Sequence, residues 1–294
     1  LGSVDLPGKV RAIAESGSFC YLAAHDGGLF IVTVHDPGRP RVVGLYDASR
    51  FSLGLWISGD RLYLANGPGG FEILDISDPI SPVRVSNYVP PTNPYRQPPP
   101  DVWNLRVAGT TAYVANSDAF LVVDIADLSS PTTLARLPMR FAHHVELAGT
   151  TAYVFGGITF RSIDISDPAK PTETGFFLVP EIGGDLCLEN GFAYIADWSS
   201  LEVFDVRSPG SEMLYGRHAL PGDVRSVTVS SGTTYVANSA DGLRILNTSI
   251  PSRAELLGSS DIESRVARSI FLDGDLAYMN AHSDGLFVFD IADP

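Results

Sequence analysis

The sequence predicts an all-β chain folded as a seven-bladed β-propeller with four antiparallel strands per blade. Three observations carry this expectation. A tyrosine-bearing apolar strand recurs seven times, each copy sits in the same four-strand phrase, and the first residues of the chain match a strand that its end lacks.

The marker strand reads "YLAA", "YLAN", "YVAN", "YVFG", "YIAD", "YVAN" and "YMNA", at Tyr21, Tyr63, Tyr113, Tyr153, Tyr194, Tyr235 and Tyr278. The intervals are 42, 50, 40, 41, 41 and 43 residues. A period of this length marks a repeat whose single small sheet cannot bury its faces without neighbours.

Within each unit an apolar strand precedes a glycine turn, at Gly17, Gly59, Gly109, Gly149, Gly191, Gly232 and Gly274. Glycine suits a tight hairpin because it takes positive φ freely. The tyrosine strand follows, then a polar turn, then an alternating third strand such as "GFEILDISDP" that ends on an acidic residue and proline. A fourth strand, such as Val42 to Tyr46 or Leu256 to Ser259, completes the unit. The repeated Asp-Pro pairs (Asp36-Pro37, Asp78-Pro79, Asp167-Pro168, Asp293-Pro294) are turn initiators in this reading, not calcium ligands.

The chain stops on a third strand, at Asp290 to Pro294, and starts with "LGSVD", which matches the fourth strand "LGSSD" at Leu257 to Asp261. Leu1 to Asp5 is therefore expected beside residues 286 to 291, closing the ring by hydrogen bonds. The expected organisation is one domain over residues 1–294, with blade 7 built from about 262–294 plus 1–6.

The phrases Leu74-Asp75-Ile76-Ser77-Asp78-Pro79, Ile163-Asp164-Ile165-Ser166-Asp167-Pro168 and Leu121-Val122-Val123-Asp124-Ile125 resemble the LVIVD repeat, a propeller repeat of mostly bacterial and archaeal extracytoplasmic proteins. The "YVAN" strings also resemble the related YVTN surface repeats, whereas the Gly-His and Trp-Asp marks of WD40 repeats are absent. Blades 1 and 6 depart from the pattern, with Thr33 and Asn247 where other blades carry aspartate. The resemblance implies the fold and a secreted, periplasmic or cell-surface location, and little chemistry.

The net charge of −14 sets nucleic acid aside, since 20 Lys and Arg are scattered among 34 Asp and Glu and form no basic stripe. No apolar run approaches the roughly 20 residues that span a bilayer, so no membrane insertion by this segment is expected. The start at Leu1 suggests a processed piece. Cys20 and Cys187 fall on separate blades, which argues against a disulfide. No nucleophile elbow, Walker loop, cysteine cluster or dinucleotide fingerprint is present, and neither a cofactor nor a stable oligomer is expected.

Propeller ligands usually sit at one mouth of the central channel. Counting back from the glycine turns gives Arg11, Leu53, Trp103, His143, Asp185, Arg225 and Arg268 as the first innermost-strand position. The next holds Ala12, Gly54, Asn104, His144, Leu186, Ser226 and Ser269, and the turn after the tyrosine strand adds His25, Asn66, Asn116, Asp197, Trp198, Asn238 and His282. These positions vary from blade to blade where packing positions repeat.

Arg11, Arg225 and Arg268 come from neighbouring blades 1, 6 and 7, so three guanidiniums converge on one mouth of an acidic protein. One reading is a site for a carboxylate, phosphate or sulfate; the other is a structural network with acids such as Asp185, Asp223, Asp241, Asp261 and Glu263. Trp103, Asn104 and Trp198 are candidate neighbours of that ligand. A proline-rich stretch, Val85 to Trp103, carries the extra residues of the long interval and is expected to form a loop on the same face, with Tyr88, Tyr95 and Arg96 as contacts.

His143 and His144 suggest a general base, with Asp185 as orienter, although adjacent strand residues face opposite sides. A metal set of His25, His143 and His282 is a weaker reading, because blade 4 lies far around the ring from blades 7 and 1. Three functions follow: a recognition module for a small anionic ligand, glycan or protein; a hydrolase or lyase at the same mouth; or a scaffold without a ligand.

Overall fold

The computed structural model describes residues 1–48, 51–91, 100–179, 184–239, 241–260, 267–282 and 284–292. Strands account for the regular structure, arranged as five four-stranded antiparallel sheets and one seven-stranded sheet. Among the described residues no helix is long and apolar enough to cross a membrane.

Burial explains why the middle two strands of each unit read as unbroken apolar runs. Phe19–Ala23 and Leu29–Thr33 in blade 1, like Thr111–Asn116 and Ala119–Asp124 in blade 3, are covered on both faces by adjoining blades. The outermost strands, such as Arg41–Tyr46, are exposed over their first three residues and then alternate between half-buried and exposed, because only one face meets a neighbour.

The hydrophobic core is accordingly divided into seven clusters, one at each junction between blades. The junction of blades 7 and 1 packs Tyr278, Leu286 and Val288 against Cys20, Leu22 and Phe30. At the same place Gly2–Val4 pairs with Leu286–Asp290, with Ser3 opposite Phe287. The N-terminal strand thus pairs as the fourth strand of blade 7, beside the residues expected.

The recurrent tyrosines are buried hinges between blades. Tyr21 and Tyr153 are 1% exposed, and their hydroxyls donate to the carbonyls of Pro79 and Val206 on the next blade at 3.2 and 3.0 Å. Burial pushes both phenols up to about 12.

The acidic residue closing the third strand has an equally local cause. A carboxylate oxygen of Asp75, Asp124, Asp164, Asp205 and Asp290 accepts the backbone N–H two residues on, at 2.8 to 3.1 Å. Such an Asx turn stops the strand and starts the connection outward. Asn247 makes the same bond to Ser249 at 3.0 Å, and the Thr33 hydroxyl accepts from His35 at 3.5 Å. The two departures from the aspartate pattern therefore keep the turn, as their side chains keep an acceptor oxygen.

Two expectations need correction. Residues 85–88 belong to a strand, Val83–Tyr88, and Trp103 to another, Val102–Ala108, so the connection is shorter than the proline-rich stretch. Tyr88 is not a surface contact: it is buried against Phe71, and its hydroxyl bonds to Thr133 across the blade junction at 2.6 Å. Tyr95 and Arg96 lie outside the described residues.

The seven-stranded sheet arises because Met213–Ser230 runs unbroken from the outer edge of blade 5 to the channel of blade 6. Pro221 and Gly222, at φ 85°, bend the chain there without a loop. Trp198 of blade 5 consequently pairs with Val224, beside Arg225.

Candidate functional site

The mouth is defined by backbone bonds at the start of each innermost strand. The amides of Arg11, Leu53, His143, Gly184 and Arg268 donate to the carbonyls of Ala23, Ala65, Phe155, Ala196 and Asn280. Trp103 and Arg225 take the same place as the extra residues of bulges that follow Val102 and Val224. Bulges re-aim side chains at strand ends.

Gly184, not Asp185, is therefore the blade 5 member of this ring. Counting from the glycine turn fails there because Asn190 and Gly191 share the turn, both with positive φ, and the glycine is its second residue. Asp185 stands opposite Ala196, in the ring that also holds Asn104, His144 and Ser226. A similar shift applies to the polar turns. His282 accepts from Val10, His25 exchanges bonds with Ser52, and Gly67 does so with Val102. Gly67, rather than Asn66, is the counterpart of the two histidines, and Asn66, Asn116 and Asn238 are buried one residue earlier.

Below the mouth, one polar chain crosses four blades. Arg106 pairs with Glu146 through two bonds, His144 Nε2 lies 3.1 Å from Glu146 Oε1, and His144 Nδ1 lies 3.0 Å from Asp185 Oδ1. Asp185 in turn accepts from the Ser226 hydroxyl and from the Val227 amide at 3.2 Å. Arg106 also stacks 4.6 Å from the Trp56 ring, and the Asn104 side-chain Oδ1 accepts from Arg106 at 3.3 Å and from the Val145 amide at 3.4 Å. Burial opposes ionisation of Glu146, but the Arg106 charge and the His144 contact hold its carboxyl down at about 2.

This geometry bears on the proposed base. Both ring nitrogens of His144 already face carboxylates, so neither is free to take a proton from a substrate. His143 points to the other side, edge-on to Trp103 with ring centres 5.1 Å apart. Burial, then the His144 charge, hold its imidazole below the ordinary range. Trp103 is itself anchored, its indole N–H donating to Ser117 at 2.9 Å.

The metal set is not assembled. His25 stacks on Phe51 at 4.4 Å and lies 3.6 Å from Asp26, while His143 belongs to the aromatic group with Trp103. Among the described residues no three His, Cys, Asp or Glu side chains are grouped to hold an ion.

The arginines do come together. Burial and then the Arg225 charge lower the Arg11 pKa, and burial, Arg11 and Arg225 bring Arg268 down to about 10. Arg225 has an acid, Asp223 at 2.8 Å, and lies 4.0 Å from the centre of the Trp198 ring. Among the described residues no carboxylate comes within 4.0 Å of a guanidinium nitrogen of Arg11 or Arg268, and the buried Nε of each has no acceptor. Of the acids expected to neutralise the cluster, Asp185 serves His144 and Asp241 serves Arg244 at 3.0 Å. Asp261 and Glu263 lie outside the described residues. A separate cleft of about 600 Å³ opens between blades 3 and 4, lined by Arg136, Arg140, Phe141 and Arg161, and is remote from this cluster.

The fold and its mouth define a seven-bladed β-propeller whose channel opening is polar and cationic on one side. Within that class the chain belongs to the LVIVD repeat family: residues 7–48, 51–89, 100–137, 140–179, 183–218, 221–261 and 264–294 each match the repeat. No curated protein matches the sequence.

Among solved structures, a protein from Lactobacillus plantarum is similar at 15% identity and TM-score 0.76, covering 96% of this chain and 88% of that one. The Swd1 β-propeller domain of Myceliophteria thermophila is similar at 12% identity and TM-score 0.76, covering 99% of both chains. The periplasmic gluconolactonase of Pseudomonas aeruginosa is similar at 18% identity and TM-score 0.73, covering 98% of this chain and 89% of that one. At these identities the likeness is one of fold.

Proposed function

We propose that this propeller is an extracytoplasmic recognition module whose channel mouth binds a small anionic ligand, free or carried on a glycan or protein. The observation that carries the reading is the state of Arg11 and Arg268. Two half-buried guanidiniums without a carboxylate partner among the described residues repel each other. A protein that retains such a pair at a channel mouth gives up stability there, a cost that an anion of the right size would offset. Trp198 adds a half-exposed ring beside Arg225, suited to the body of the ligand. The extracytoplasmic placement rests on the family resemblance.

The hydrolase or lyase reading has less support, because the histidine with an orienting aspartate is engaged on both nitrogens. Isothermal titration with sulfate, phosphate and small carboxylates tests the proposal. Saturable binding is expected, lost in Arg11→Gln and Arg268→Gln. Binding that survives both substitutions, or no binding of any anion, overturns it.

A further inference from the structure

At the junction of blades 7 and 1 two guanidinium charges, those of Arg11 and Arg268, stand without a carboxylate within 4.0 Å among the described residues. Arg225 shares Asp223, whereas Arg11 and Arg268 share no acid among the described residues. His282 stands in the same corner, its carbonyl bonded to the Val10 amide at 3.1 Å, one residue from Arg11. Its surroundings are burial and the charges of Arg268, Arg11 and Lys9, which together hold its imidazole below the ordinary range, with Asp284 opposing them.

The backbone at His282 points to a role for the side chain. Its φ is 50°, in the left-handed region, and the corresponding turns of blades 1 and 2 place His25 at φ 46° and Gly67 at φ 52°. Glycine takes that conformation freely, while a residue with a Cβ is strained there. Blade 7 therefore carries an imidazole at a position where glycine is the cheaper residue, beside two unmatched guanidiniums. Strained turns of this kind collect at ligand sites.

We infer, resting on the anion-binding reading above, that the mouth takes a doubly charged anionic group, a phosphate monoester or two closely spaced carboxylates. His282 joins Arg11 and Arg268 as its third cationic contact and takes up one proton from solvent as the anion binds. The charge balance sets the class. A monoanion leaves one half-buried guanidinium unmatched, and a dianion cancels both. With both cancelled, the Arg268 and Arg11 charges no longer add to burial in disfavouring the imidazolium, and the bound anion favours it. In the empty site burial and the neighbouring cations disfavour the imidazolium, so the third contact gains its charge with the ligand in place.

Sulfate is the probe, because it remains a dianion throughout the relevant range and any proton exchanged must belong to the protein. Titration calorimetry near pH 7.5 in two buffers of different ionisation enthalpy is expected to show proton uptake approaching one per sulfate. Affinity is expected to rise roughly tenfold from about pH 8 to about pH 6. Acetate is expected to bind at least tenfold more weakly than sulfate. Phenyl phosphate and malonate separate the two sources of double charge, and the tighter of them identifies the ligand class. His282→Asn is expected to bind sulfate roughly tenfold more weakly and without proton uptake.

Sulfate binding with no proton uptake and a flat pH profile overturns the role of His282 while leaving the anion site standing. Acetate binding as tightly as sulfate overturns the double charge. Absence of any saturable anion binding overturns the anion site itself and this inference with it.

Discussion

His144 Nδ1 and Asp185 Oδ1, 3.0 Å apart, tie the innermost strand of blade 4 to that of blade 5. The other side of His144 faces Glu146, and the other oxygen of Asp185 takes the Ser226 hydroxyl and the Val227 amide. The polar lining of the channel is thus a belt that fixes blade positions where the apolar junctions thin out.

Asp185→Ala is expected to destabilise the protein by about 2–3 kcal/mol, because it strands a histidine nitrogen, a hydroxyl and a backbone amide at once. Asp185→Asn, which keeps an acceptor, is expected to cost about half as much. Chemical denaturation at neutral pH measures both.

Glu146 makes the belt sensitive to acid. A carboxyl held down at about 2 stabilises the fold above its unfolded value near pH 4.5, and that contribution is lost as pH falls toward about 2. Wild type is expected to lose on the order of 2 kcal/mol across this window from Glu146 alone. Glu146→Gln, less stable at neutral pH, is expected to show a flatter decline. Melting temperatures taken between about pH 5 and about pH 2 decide this.

Arg268 is expected to behave in the opposite sense to an ordinary ion-pair partner. Burial and two neighbouring guanidiniums disfavour its charge in the folded state. After allowing for solvent screening of a half-buried cation, Arg268→Gln is expected to stabilise the ligand-free protein by about 1 kcal/mol. Thermal unfolding without added anion should show a higher Tm, and addition of sulfate should reverse the order.

The tyrosine repeat is expected to act through its hydroxyl as well as its ring. Tyr153→Phe leaves the Val206 carbonyl without its cross-blade donor and is expected to cost about 1 kcal/mol. Tyr21→Phe, with a longer bond of 3.2 Å, is expected to cost less. Denaturant midpoints of the two variants give the comparison.

Much of the architecture is legible in the sequence, because each blade must solve the same packing problem. Tyr153, Gly149 and Asp164 each do a job set within a few residues or by one adjacent blade, and so recur at a fixed period. The match of Leu1 to Asp5 with Leu257 to Asp261 revealed the blade 7 pairing for the same reason. Register was harder. Asp185 and Gly184 exchange rings because Asn190 takes positive φ in the turn beside Gly191, a choice that leaves no mark in the hydrophobic pattern.

The sequence by itself determined seven blades, the turn chemistry of each, and the gathering of Arg11, Arg225 and Arg268 on one face. Those features follow from periodicity and blade adjacency, which are properties of the chain. Only the tertiary structure decided that Asp223 pairs with Arg225 while Arg11 and Arg268 find no acid among the described residues, that His144 is bound on both sides, and that His282 stands beside the unmatched charges. Charge pairing turns on differences of an ångström or two in where side chains end, and bulges and turns set those positions.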